Sequence, residues 1–93
     1  MNVYEKDPNA VLDYQFDWSD WLADGETIQS HTITVTPGEE LTVDSSGVNS
    51  GVVRVWLSAG NAKKTYLVAC KIVTDNSPTR TDERTILVKC FER

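Results

Sequence analysis

With one histidine, one methionine and two cysteines in 93 residues, the chain is short of the side chains most catalytic and metal sites require. His31 has no nucleophile or orienting acid beside it in the sequence, so it does not announce a catalytic grouping. Cys70 and Cys90 show no C-x-x-C spacing, and with a single histidine a zinc site lacks ligands. The five glycines do not fall into a phosphate cradle. Apolar runs extend only a few residues, so no segment spans a bilayer as a helix. Met1–Lys6 has neither the basic start nor the apolar stretch of a secretory signal, which implies synthesis in a cytoplasm. The expectation is a non-enzymatic protein with no cofactor, no metal and no membrane partner.

Positive charge is nearly missing from the first half. Residues 1–45 hold ten acids (5, 7, 13, 17, 20, 24, 26, 39, 40 and 44) against Lys6 alone, a net of −9. Residues 46–93 hold eight bases against four acids, a net of +4. Net acidity argues against nucleic acid, since phosphate binding needs a positive field. Two readings of the split remain. Either the halves complement one another within one folded sheet, or an acidic end of one molecule meets a basic end of another.

What is present is concentrated in Lys6–Ile28, where Tyr14, Phe16, Trp18 and Trp21 stand among Asp7, Asp13, Asp17, Asp20 and Asp24. Strand side chains alternate, so residues 14, 16 and 18 share one face and Asp13 and Asp17 take the other. Such a strand plugs an apolar face into a sheet and presents carboxylates outward. Trp18 therefore points to the core. Trp21 either closes one end of the fold or anchors a partner.

The rest reads as strands and turns. Val11–Trp18 is the first strand, and Ser19–Glu26 a loop with a turn at Asp24-Gly25 and room for one helical turn at Ser19–Ala23. Thr27–Thr36 sets His31, Ile33 and Val35 on one face and stops at Pro37-Gly38-Glu39-Glu40. Leu41–Asp44 is short, with Leu41 and Val43 inward, and Ser45–Gly51 reads as a loop. Val52–Ser58 groups Val53, Val55 and Leu57. Thr65–Thr74 groups Tyr66, Val68, Cys70 and Ile72, and Glu83–Phe91 groups Ile86, Val88 and Cys90. No sustained 3.6-residue period appears. Six to seven short strands with turns about every ten residues predict an all-β, immunoglobulin-like antiparallel β-sandwich. The single domain is divided into an N-terminal arm, 1–10, and the sandwich, 11–93.

The small-residue turn from Gly60 into Tyr66 is similar to the tyrosine corner of immunoglobulin-like domains, where the phenol bonds back to the turn. Trp56, on the strand before, suits the ring that fills such a core. A hairpin closed by Asn76-Ser77-Pro78-Thr79-Arg80 would set Cys70 and Cys90 near one another, as reduced buried thiols or as a late disulfide. Asp20, Asp24 and Glu26 lack the spacing of a calcium loop and read as a solvated acidic loop.

Taken together, Lys6-Asp7-Pro8, Ala10–Tyr14, Asp17-Trp18-Ser19-Asp20-Trp21-Leu22, Asp24–Ile28, Val55–Ser58, Gly60, Tyr66 and Arg80–Ile86 resemble small tailed-bacteriophage virion proteins of the fibre–tail adaptor type. The two cysteines and the pair Lys63-Lys64 depart from that pattern. The resemblance implies a structural module that holds fibres or neighbouring subunits to the tail or connector, in multiple copies, within a virion assembled in the host cytoplasm. A capsid decoration or cement protein would use the same sandwich, and a carbohydrate-binding module would use Trp18 and Trp21 as a sugar platform. The expected protein interface comprises Asp7, Pro8, Asp17, Asp20, Trp21 and Asp24, with the arm before Val11 ordered by a neighbour.

Overall fold

Alternation of apolar and polar side chains decides how this chain folds. In the computed structural model, which describes residues 3–36, 40–75 and 78–91, every element is a strand. They are β1 (Val3–Lys6), β2 (Leu12–Asp17), β3 (Ile28–Thr36), β4 (Leu41–Asn49), β5 (Val52–Ala59), β6 (Thr65–Thr74) and β7 (Thr81–Cys90). Pro37, Gly38 and Glu39 of the expected stop, and Asn76 and Ser77 of the expected hairpin turn, lie outside the described residues.

One sheet has the order β1-β7-β6-β3 and the other β2-β5-β4. Neighbours are antiparallel except β1, which runs parallel to β7. Lettered A to G in chain order, the sheets are A-G-F-C and B-E-D. That is the immunoglobulin-type grouping with the first strand moved to the G edge. The inner faces supply the core: Tyr14 and Phe16 from β2, Val53, Val55 and Leu57 from β5, Tyr66, Val68, Cys70 and Ile72 from β6, Ile86, Val88 and Cys90 from β7. Trp18, just past β2, is fully buried among them.

Four expectations are corrected. Residues 45–49 are not a loop: β4 runs on to Asn49, pairs with β5 through a register shift between Val43 and Ser45, and turns only at Ser50-Gly51. Both turn residues have positive φ (51° and 80°), as a two-residue type I′ hairpin requires. Serine and glycine lower the propensity of this stretch, but a long partner strand overrides it. Val43 faces inward as expected, opposite Leu57, and keeps solvent contact because β4 is an edge strand. Trp56 does not fill the core; it stands on the outer face of β5, 40% exposed, and Trp18 takes the core position.

The segment before Val11 is also not free of the sheet. Val3–Lys6 pairs with Leu87–Cys90, Tyr4 meets Tyr14 edge-on at 5.0 Å, and Lys6 is fully buried. Its Nζ donates to the carbonyls of Ala59 at 2.7 Å and Asp7 at 3.0 Å, and burial holds its pKa below the usual lysine value. The cysteines, finally, do not face one another. Cys70 lies opposite Arg84, so Cys90 is six residues further along β7, roughly 20 Å at the strand rise and beyond disulfide reach. Both thiols are free and buried, and burial pushes Cys70 up to about 11.

The corner forms as expected. Tyr66 is fully buried, its hydroxyl accepts from the Asn61 N–H at 2.9 Å and donates to Glu40 Oε1 at 3.2 Å. Lys64 donates to the same carboxylate at 3.0 Å. Gly60, at φ +92°, has no room for a side chain, because a Cβ would lie 2.7 Å from Cys90 Sγ.

Tyr66→Phe should cost about 1–2 kcal/mol in urea unfolding, because the Asn61 N–H loses its buried acceptor; an unchanged midpoint would show that the corner bond carries nothing. Gly60→Ala should cost at least about 1 kcal/mol, since both the backbone and Cys90 resist a methyl there. Non-reducing electrophoresis with and without reductant should give the same monomer band. A thiol reagent should modify both cysteines only on unfolding, because buried thiols are poor thiolates.

Candidate functional site

The turn between β2 and β3 is built by its own short polar side chains. Asp17 Oδ1 accepts from the Ser19 N–H at 2.9 Å and from its Oγ at 2.6 Å. Those bonds hold the Asp17 carboxyl below the usual aspartate range and start the turn. The N–H groups of Trp21 and Leu22 both reach the Trp18 carbonyl, at 2.9 and 3.0 Å, which closes a single helical turn. Glu26 and Ala23 then bond reciprocally: the Glu26 N–H donates to the Ala23 carbonyl, and the Ala23 N–H donates to Glu26 Oε1. Thr27 enters β3 tied to the Asp75 carboxylate through its N–H at 2.8 Å and its hydroxyl at 2.7 Å.

Two arginines from the far sheet fasten this turn. The side chain of Glu26 is inaccessible to solvent and faces the Arg80 guanidinium, which donates to Glu26 Oε2 through Nε at 3.0 Å and to Oε1 through Nη2. The Arg80 hydrogen bonds, ahead of the Ala23 N–H and the Thr74 hydroxyl, pull the Glu26 carboxyl down to about 2. The Arg80 guanidinium also lies 4.0 Å over the Trp21 ring and donates to the Trp21 carbonyl at 3.1 Å. Trp21 meets Trp18 edge-on at 5.5 Å, and Arg84 lies 4.2 Å over Trp18 while donating to the Asp17 carbonyl at 2.6 Å. The order Arg80–Trp21–Trp18–Arg84 therefore runs from the turn into the core, with cation–π contacts at both ends.

The structure divides the six expected interface residues between two poles. Asp17, Asp20, Trp21 and Asp24 sit on the β2–β3 turn, beside the Ser50-Gly51 turn and the β7 entrance. Asp7 and Pro8 sit at the opposite pole, with Ala59, Gly60 and Phe91, in a molecule 45 Å long. Asp20 and Asp24 are exposed, Pro8 and Asp7 partly covered. Asp17 is exposed, but its carboxylate is spent on Ser19. Trp21 is half-buried against the core and capped by Arg80. Trp18 and Trp21 cross at 71° with Trp18 fully buried, so they are not the exposed coplanar pair that stacks on a sugar.

Sequence reasoning missed Glu26, read as part of a solvated loop, together with its partner Arg80 and with Arg84 over Trp18. No local signal marks them, because the ion pair joins residues 54 positions apart. The only hint was the charge split, and the pairing now explains it. Arg54 meets Asp13 at 3.4 Å, Lys64 meets Glu40 at 3.0 Å, and Arg80 meets Glu26, each a second-half base on a first-half acid. The halves complement one another within the fold. His31, on the inner face of β3, bridges to Ser46 Oγ of β4 at 2.9 Å. No group of three or more potential metal ligands occurs among the described residues.

Strong acid should loosen this turn. The folded pKa of Glu26 (about 2) lies below its ordinary 4.5, so its contribution to stability is complete above pH 4.5 and is lost as pH falls toward 2. Glu26→Gln should lower the urea midpoint at neutral pH and flatten its pH dependence through that interval. Asp17, Glu40 and Asp75 are also held low, so some acid sensitivity should persist in the variant. A variant with the parent's full acid slope would show that the pair does not carry it.

A turn this well braced, set on a small sandwich, was also the part of the sequence with the most specific pattern. No curated protein matches the chain by sequence. A family model described as the podophage GP4 fiber-tail adaptor protein gp77 matches residues 6–89, which takes in all of β2 to β6, the turn with its two tryptophans, and nearly all of β7. The chain belongs to that family of phage fibre–tail adaptor proteins.

Proposed function

We propose that the domain acts as a non-enzymatic link within the virion, joining a fibre to the tail or connector in multiple copies, with the β2–β3 turn as its main docking surface. Family membership supplies the structural adaptor role. The observation that supports this particular surface is the exposure of Asp20 and Asp24 on a turn whose backbone is fixed by Asp17, Glu26, Arg80 and the two tryptophans. The ion pairs found among the described residues leave both carboxylates out. A rigid acidic rim binds with little loss of side-chain and loop freedom, and it steers a basic partner electrostatically. Asp7 and Pro8, at the opposite pole, give a second surface for the second partner that any link requires. Assembly in the host cytoplasm and residence in the virion follow from the same reading.

Trp21 is a poor probe of docking, because its removal would also strip Arg80 and Trp18 of a packing partner. The better variant is Asp20→Asn with Asp24→Asn, which touches neither the core nor an internal bond. It should keep the parent's circular dichroism and melting curve, enter virions less efficiently, and bind a tail or fibre fragment with a slower association rate and a weaker salt dependence. Incorporation and salt dependence equal to the parent's would remove the turn as the docking surface and leave the adaptor role to other faces.

A further inference from the structure

The sandwich is closed on one side and open on the other. On the β1–β2 side the gap between sheets is filled by Tyr4 against Tyr14 and by Arg84 over Trp18. On the opposite side the edge strands are β3 and β4, each paired on one flank only among the described residues. Their inward side chains are incompletely covered: His31, Ile33 and Val35 are half-buried, Ser46 is exposed, and Val48 is 40% exposed.

Charge separates β3 from the other edges. β1 carries Glu5 and Lys6, β2 carries Asp13 and Asp17, and β4 carries Asp44, whereas the nine residues IQSHTITVT of β3 include no Asp, Glu, Lys or Arg. Edge strands are ordinarily blunted by charge, proline or bulges. The register shift of β3 lies between Ile28 and Ser30, so Thr32–Thr36 runs regularly along β6. Every residue from Thr32 to Thr36 is β-branched, which favours further strand pairing. The absence of charge also selects the partner. A strand laid antiparallel against its own copy sets residues equally far from the two-fold axis opposite one another, so a charged strand meets repulsion in those registers that oppose like charges. Of the four edges, β3 alone has no register in which like charges oppose one another, and threonines facing threonines across such a pair are favourable.

We propose that two copies of this chain pair antiparallel through β3, joining two four-stranded sheets into one of eight. With the two-fold axis at Thr34, that residue faces its own copy and Thr32 faces Thr36; on the outer face these threonines lie opposite Lys71, Ala69 and Leu67 of β6. Ile33 and Val35 lose their remaining solvent contact at the seam. The pairing is a property of the isolated chain and does not depend on the docking turn, so the two are tested separately.

Sedimentation of the purified protein should give a dimer that dissociates on dilution. Backbone amides of 28–36 should be protected from hydrogen exchange at high protein concentration and lose protection at low. Thr34 is exposed, so Thr34→Lys and Thr34→Glu should each fold as the parent does and sediment as monomers, and an equal mixture of the two should recover the dimer. A parent that stays monomeric from micromolar to millimolar concentration would overturn the proposal. So would exchange in β3 that ignores concentration, single variants that remain dimeric, or a mixture that does not recover.

Discussion

The pairing of buried Glu26 with the partly exposed Arg80 is the constraint on which one half of the molecule rests. The two sheets share no backbone ladder, so at each pole they are held by side chains and crossing loops. Glu26 reaches its place only because the chain turns sharply after β2, and the turn closes only because Glu26 accepts from Ala23 and Arg80 together. A carboxylate without solvent must be paired and fully hydrogen-bonded, or its burial costs more than the fold can spare. That requirement fixes the position of Arg80, and with it the start of β7 and the cover over Trp21.

The other pole is solved differently. There a neutral phenol, a lysine folded onto two carbonyls and a glycine pressed against Cys90 do the joining. Glu40 binds this pole together by accepting from Tyr66 and Lys64. One end of the sandwich therefore presents an acidic turn, and the other a corner with lysines at its rim. The two poles thus differ both in charge and in the side chains that close them.

Much of this was legible in the sequence because strand periodicity is a local property. The inward sets of β2, β5, β6 and β7 follow from alternation alone, and the small-residue turn before Tyr66 marked the corner. Alternation failed where pairing overrules composition. The Ser-Ser-Gly stretch of β4 is held as a strand by β5, and the register shift beside Asp44 reverses which of its residues face inward. Alternation does group His31, Ile33 and Val35 on one face of β3, but they stay half-buried, since an edge strand beside an open seam covers its residues on one side only. In the candidate site, the exposed Asp20 and Asp24 were visible as an acidic loop, whereas the role of Glu26 was not.

By itself the sequence determined the class of fold, the faces of its central strands, the corner at Tyr66 and the resemblance that led to the family. Tertiary structure alone decided that Trp56 stands outside the core, whether the cysteines meet, where the first strand goes, and which acid is buried. The first group depends on periods of two and on turns a few residues long, which neighbouring residues encode. The second depends on register and on contacts across dozens of residues: Trp18 against Arg84, Lys6 against Ala59, Glu26 against Arg80. A shift of one residue in the pairing of β1 or β7 would send Lys6 or Arg84 to the opposite face.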